Sequence, residues 1–181
     1  AIRVARAYRG RDRIAKFEGN YHGQHDVVQV SAMTSLGPDD EPESSRDNPG
    51  IPASSLRDVL VLPYNNAEVA VSLIEDHADE LACVIIEPVS AFGLGCVPAE
   101  QEFIQAIRSV TQKLDIPLIF DEVVTNLRLG LGGACEYYRI TPDIVCLGKI
   151  VGGGFPIGVY GGRQDLMDRF VTPTGKSSDS N

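Results

Sequence analysis

Four short apolar runs punctuate the middle of the chain, and each stops abruptly. Residues 59–63 read Val-Leu-Val-Leu-Pro, 82–86 Ala-Cys-Val-Ile-Ile, 117–120 Pro-Leu-Ile-Phe and 144–148 Ile-Val-Cys-Leu-Gly. Runs of this length, rich in β-branched residues and bounded by turn formers, predict buried parallel strands. Between them the apolar positions fall at helical spacing. A helix is predicted over 65–80, with Ala70, Leu73, Ile74, His77 and then Leu81 facing inward, and another over 99–114, with Phe103, Ile107, Val110 and Leu114 inside. The flanks extend the pattern. Residues 1–8 predict a helix with Ile2, Ala5 and Tyr8 on one face, ended by Gly10. A strand is predicted over 13–18 with a turn at Gly19-Asn20, a short helix over 132–139, a strand over 157–161 and a helix starting at 164–169. Strands alternating with helices predict an α/β fold, a three-layer α/β/α sandwich on a mostly parallel sheet.

Two stretches break the pattern. Residues 34–55 carry Pro38, Pro42, Pro49 and Pro52 among acids, which predicts a solvated surface loop, the alternative being a gate over a binding site. Residues 171–181 have no periodicity and read as a loop. The first helix lacks an N-cap, so the expectation is a chain cut within a helix at one end and within a loop at the other.

Composition narrows the classes. The 181 residues are enough for one domain with a core, and a net charge of −9 argues against a nucleic-acid or anionic-membrane surface. Cys83, Cys96, Cys135 and Cys146 form no CxxC pair, and they predict reduced thiols in a cytoplasmic protein. No run is long enough to span a membrane, and no signal-peptide pattern opens the chain. His22, His25 and His77 show no metal-ligand spacing, so no metal site is expected.

The chemistry concentrates where the strands end. In open α/β sheets, binding sites lie beyond the carboxyl ends of the strands. Asp121 ends one apolar run, Lys149 ends another, and Glu87 ends a third, so an amine and two acids are expected on one rim. Gly152, Gly153 and Gly154 follow Lys149 and permit close approach of a ligand. A lysine in a partly desolvated pocket can lose its proton and become a nucleophile. Lysine on an aldehyde and acid on a pyridinium is the arrangement that pyridoxal 5′-phosphate needs.

Tyr21-His22-Gly23, Leu62-Pro63-Tyr64-Asn65, Ile86-Glu87-Pro88-Val89, Asp121-Glu122-Val123 and the run from Leu131 through Asp168 together resemble the class III pyridoxal-phosphate-dependent aminotransferases of the fold-type-I group, nearest their aminomutase branch. The resemblance implies Lys149 as the catalytic, cofactor-holding lysine and Asp121 as the acid on the ring nitrogen. It implies Val123 and Tyr21 on opposite ring faces, with His22 and Glu87 completing the cofactor-binding set. It also implies a small amino-acid or amino-aldehyde substrate, a homodimer when complete, and a partial large domain over 1–181, without the N-terminal phosphate-cupping turn and the C-terminal small domain. Three departures stand out. Ala91-Phe92 replaces a Gly-Asn or Gly-Glu pair, Val124 replaces Gln or Met, and Asn126-Leu127 replaces Gly-Phe.

Other readings compete with this one. An intermolecular ω-amino-acid or amine transaminase fits the same residues, as does an incomplete core without turnover. A P-loop protein fails because Gly175-Lys176-Ser177 is preceded by Phe170 where the loop needs glycine. A dinucleotide-binding fold fails because no GxGxxG opens a helix after a strand.

Overall fold

A computed structural model of the protein describes residues 1–33, 37–38 and 40–169. The expected loop over 171–181, and with it Phe170 and the Gly175-Lys176-Ser177 stretch, lies outside the described residues. The strands are β1 (Arg13–Phe17), β2 (Val59–Leu62), β3 (Leu81–Ile86), a small antiparallel pair β4 (Val89–Ser90) and β5 (Val97–Pro98), then β6 (Leu118–Asp121), β7 (Ile144–Leu147) and β8 (Val159–Gly162). The helices are α1 (Ile2–Arg9), α2 (Ala67–Asp76), α3 (Gln101–Lys113), α4 (Gly133–Tyr138) and α5 (Gln164–Met167). Six strands form one sheet in the order β2-β1-β3-β6-β7-β8, parallel throughout except β8, which runs antiparallel to β7. The chain moves outward one way from β1 to β2 and the other way from β3, so the order reverses between β1 and β3, where such sheets open a crevice.

Both faces of the sheet are covered over β1, β2, β3 and β6, which makes three layers, while the edge strand β8 is exposed along its length. Leu81, Val84 and Ile86 of β3 pack with Phe103, Ile104 and Ile107 of α3, Ala70 and Ile74 of α2 and Tyr138 of α4. Ala82, Cys83 and Ile85 of the same strand pack with Val4 and Ala5 of α1, with Val27 and Val28, and with Leu166 of α5. Burial on both faces is why these strands read as continuous apolar runs and do not alternate.

The helices differ from expectation in detail. In α1 the buried residues are Val4 and Ala5, while Ile2 and Tyr8 pack half-buried at the margin. Gly10 closes α1 in the left-handed region at φ 63, its N–H bonding the Arg6 carbonyl. The second helix starts at Ala67 because the Asn66 side chain accepts from the Val69 N–H and caps it. It is over by Asp76, so His77 is its C-cap and Leu81 belongs to β3. The described part of 34–55 is more ordered than a solvated loop. Val30 bridges Arg46, the Asp47 carboxylate accepts from the Ala32 and Met33 N–H groups, and Ile51 is buried.

Candidate active site

The carboxyl ends of β1, β3, β6 and β7 deliver their side chains to one rim, and the connecting loops are tied together there. After β1 the chain turns at Gly19, φ 70. The Glu87 N–H then donates to Asn20 Oδ1 at 2.8 Å, and the Tyr21 N–H donates to Glu87 Oε2 at 2.7 Å. This reciprocal pair locks the loop after β1 to the end of β3. One residue on, His22 Nδ1 lies 2.8 Å from Asp121 Oδ2 and ties the same loop to the end of β6. Asp121 Oδ1 accepts from the Val123 N–H at 3.2 Å. The Tyr64 hydroxyl donates to the Glu87 and Pro88 carbonyls and braces that corner from below.

Tyr21, His22, Glu87, Asp121, Val123 and Lys149 all line one cavity of about 620 Å³. Its size suits a cofactor-sized ligand. Their environments differ. The His22 side chain is 1 % exposed and its Nε2 has no partner among the described residues. Burial therefore holds its basicity below that of an ordinary histidine, against the pull of the Asp121 carboxylate. Burial pushes the Glu87 carboxyl up to about 7, and the nearby Asp121 charge adds to the rise while the Tyr21 N–H and Lys149 oppose it. Glu87 is thus both a cavity wall and an acid bonded to loop amides. Lys149 departs from expectation: it is exposed. It sits at φ 47 at the start of a 3-10 turn, Lys149–Gly152, a left-handed conformation that costs a non-glycine residue energy and marks a constrained position. Val123 packs on Gly148, where an added Cβ would stand 3.2 Å from its Cγ1.

The desolvated lysine is another one. Lys16 lies within β1, fully buried, its Nζ donating to the carbonyls of Val30 (2.8 Å), Ser31 (3.3 Å) and Phe17 (3.3 Å). Burial lowers it to about 7, opposed by the charges of Asp47, Glu87 and Glu18. Lys16 does not line the cavity, and it pins the loop after β1 from beneath.

Glu122, the neighbour of Asp121, has a separate job. Its buried carboxylate accepts from the Ala134 N–H at 2.6 Å, the Cys135 N–H at 3.1 Å and the Thr125 hydroxyl at 2.9 Å, so it clamps the start of α4. Gly133 beside it needs to be glycine. Its φ is +60, and a Cβ there would stand 2.3 Å from Glu122 Oε2. At the Asn126-Leu127 departure the left-handed residue is Leu127, φ 56, and the Asn126 amide donates to the Glu122 carbonyl.

A flat cationic ring bearing an aldehyde fits this donor set: an amine, a carboxylate backed by an imidazole, an aromatic side chain and an apolar side chain on one wall. The class-III aminotransferase family model matches residues 1–178. The chain belongs to the class-III aminotransferase family. It is 47% identical over 175 residues to the glutamate-1-semialdehyde 2,1-aminomutase of Methanothermobacter thermautotrophicus, covering 97% of this chain and 40% of that protein. Among solved structures it is similar to an omega-transaminase from Sphaerobacter thermophilus, at 45% identity and a TM-score of 0.86, over 92% of this chain and 38% of that one. It is also similar to a transaminase with PLP bound, at 33% identity and a TM-score of 0.85, over 99% of this chain and 41% of that one. The chain thus spans about two fifths of the length of the family members it matches. The fold-type-I architecture expected for the family is the one described above.

One consequence of the raised Glu87 carboxyl can be measured. The folded protein holds this proton more tightly than the unfolded chain, whose ordinary value is 4.5. Its contribution to stability is therefore fully present below about pH 4.5 and is lost as pH rises through about 7. Glutamine at 87 can still accept from the Tyr21 N–H but carries no proton to lose. Without cofactor, Glu87→Gln in the full-length protein should remove about 1–2 kcal/mol of the stability lost between pH 5 and pH 8. Urea unfolding of both forms across that range tests it, and parallel pH profiles would contradict the Glu87 environment described here.

Proposed function

We propose that the protein is a pyridoxal-phosphate-dependent aminomutase that moves an amino group between adjacent carbons of a small amino-aldehyde, of the glutamate-1-semialdehyde type. The observation that carries this reading is the single cavity joining the Lys149 amine to the Asp121 carboxylate, with the His22 ring behind that carboxylate. When bound, the cofactor supplies an electron sink for a carbanion. Lys149 Nζ would hold the cofactor through its aldehyde and would be the base that carries a proton between adjacent substrate carbons. Asp121 would favour a protonated ring nitrogen. The His22 Nδ1–H donates to Asp121 Oδ2 and the Val123 N–H to Oδ1, so both oxygens are oriented. Tyr21 and Val123 would hold the two faces of the ring, and Glu87 lines the same cavity.

A second reading is favoured by the omega-transaminase among the similar structures, which pairs the higher TM-score with 45% identity. It is an intermolecular transaminase on ω-amino acids or amines. Product analysis of the full-length protein separates the two. The aminomutase is expected to isomerise an amino-aldehyde with no keto acid present. Turnover that requires an added keto acid would select the transaminase.

A homodimer in the cytoplasm completes the proposal, with no nucleic-acid or membrane partner. Leu131, Phe155 and Tyr137 are 93%, 74% and 64% exposed, more apolar surface than a lone domain leaves in water, and this supports a second copy over α4 and the segment after Lys149. The four cysteines are free, which suits a reducing compartment. Among the described residues no helix is long and apolar enough to cross a membrane.

A further inference from the structure

We propose that the Tyr21 hydroxyl donates a hydrogen bond to the carboxylate of the bound substrate, and that Gln24 is the residue that points it there. The inference rests on reading the cavity as an amino-transfer site, and it adds the group that recognises the substrate away from the reacting carbons.

Tyr21 reaches the cavity with its backbone fixed, because its N–H is held by the Glu87 carboxylate. Its ring lies 5.4 Å from the Phe92 ring, tilted 51° to it. Stacking on a cofactor uses the ring face and leaves the hydroxyl, at the ring edge, for another partner. A phenol can both give and accept, so the protein group beside it decides which it does. That group is Gln24, whose Nε2 donates to the Tyr21 oxygen at 2.6 Å.

A glutamine can present either end of its amide, but this one is held by a chain of amides whose direction is set by backbone groups. The Gly50 N–H donates to Asn48 Oδ1 at 2.9 Å, which turns Asn48 Nδ2 toward Gln29 Oε1, 3.2 Å away. Gln29 Nε2 then faces inward, donating to the Gly23 carbonyl at 3.5 Å and to Gln24 Oε1 at 2.7 Å. The Gly50 N–H can only donate and the Gly23 carbonyl can only accept. No amide in the chain can therefore turn around without setting two like groups against each other. The backbone joins the same two stretches, with the Asp47 N–H donating to the Gln29 carbonyl. Gln24 Oε1 is thereby occupied, and its Nε2 is what remains for Tyr21. The Tyr21 hydroxyl accepts from Gln24 and has no acceptor among the described residues, so its hydrogen is free for a ligand.

A second donor lines the same cavity. The Arg128 guanidinium has no hydrogen bond or ion pair among the described residues. A free cation and a hydroxyl donor in one cavity suit a carboxylate, which can accept from both.

The test is a double-mutant cycle on the affinity of glutarate for the full-length holoenzyme, measured calorimetrically. Glutarate carries carboxylates but no amine, so it binds without reacting. Tyr21→Phe keeps the ring and removes the hydroxyl, and is expected to weaken glutarate about tenfold. Gln24→Glu keeps the shape of the side chain but can only accept, so it takes the Tyr21 hydrogen for itself and should weaken glutarate equally. Gln24→Leu neither gives nor takes, leaves the hydroxyl free to turn to the ligand, and should stay within about threefold of wild type. Added to Tyr21→Phe, Gln24→Glu should cost nothing further. A Gln24→Glu loss that persists without the hydroxyl would be charge repulsion and would overturn the proposal. So would wild-type affinity in either Tyr21→Phe or Gln24→Glu, a Gln24→Leu loss as large as that of Gln24→Glu, or a wild type that does not bind glutarate. The amino-transfer reading fails separately, if the full-length protein shows no cofactor-dependent amino transfer from any donor.

Discussion

Replacing Lys149 with alanine in the full-length protein is expected to lower amino transfer about ten-thousandfold, because on the proposed reading one side chain supplies both the covalent hold on the aldehyde and the base that moves the proton. The structure offers a competitor. Lys16 is the lysine whose basicity is depressed, to about 7, and on basicity alone it is the better nucleophile at neutral pH. Geometry decides against it. Lys16 Nζ is buried, bonded to three carbonyl oxygens, and does not line the cavity that Lys149 shares with Asp121. Treatment of the loaded protein with borohydride should therefore fix pyridoxal phosphate on Lys149 and leave Lys16 and Lys113 unlabelled, read by peptide mapping. A label on Lys16, or a Lys149→Ala enzyme within tenfold of wild type, would remove Lys149 from its role. Lys16→Met should instead act on stability, since it leaves the Val30 carbonyl without its buried donor.

The sheet was legible because its central strands are buried on both faces, and continuous apolar runs such as 82–86 survive any error in register. The rim was legible for a related reason: Glu87, Asp121 and Lys149 each follow such a run directly, and strand ends in a parallel sheet share an edge. What periodicity could not supply was environment. It placed Lys149 on the rim but not its exposure, since covering groups come from segments distant in sequence. It gave no hint that Lys16 is buried, because the carbonyls that satisfy it belong to the irregular stretch around Val30 and Ser31. Asp121 and Glu122 read as one acidic motif, yet successive side chains on extended backbone point to opposite sides. That rule alone sends one to the cavity and the other toward α4, and it was the available signal for the division of labour seen here. The Ala91-Phe92 departure was visible as a change of residue type. The place of Phe92 beside Tyr21 was not, since it needs the Gly19, Ser90 and Gly93 contacts that hold that loop.

Asp121→Asn in the full-length protein is expected to keep the fold and the uptake of cofactor while lowering turnover about a thousandfold, the scale of removing one preorganised electrostatic partner of a developing charge. Asparagine is nearly the same shape, and its carbonyl oxygen can still accept from His22 Nδ1–H or the Val123 N–H, the two bonds that hold the carboxylate. What it lacks is negative charge, so it cannot favour a protonated ring nitrogen. His22 cannot make up the loss. Its ring is 1 % exposed and burial already disfavours its cation, and removing the Asp121 charge takes away what opposed that effect. With that charge gone, burial acts on His22 unopposed and disfavours its cation further. The competing view makes Asp121 a structural acid that only fastens the loop after β1 to the end of β6. On that view the variant loses thermal stability and keeps its rate, so measuring both quantities on one preparation decides between them. Near-normal turnover with a lowered Tm would assign Asp121 to the scaffold; a normal Tm with turnover down about a thousandfold would assign it to the chemistry.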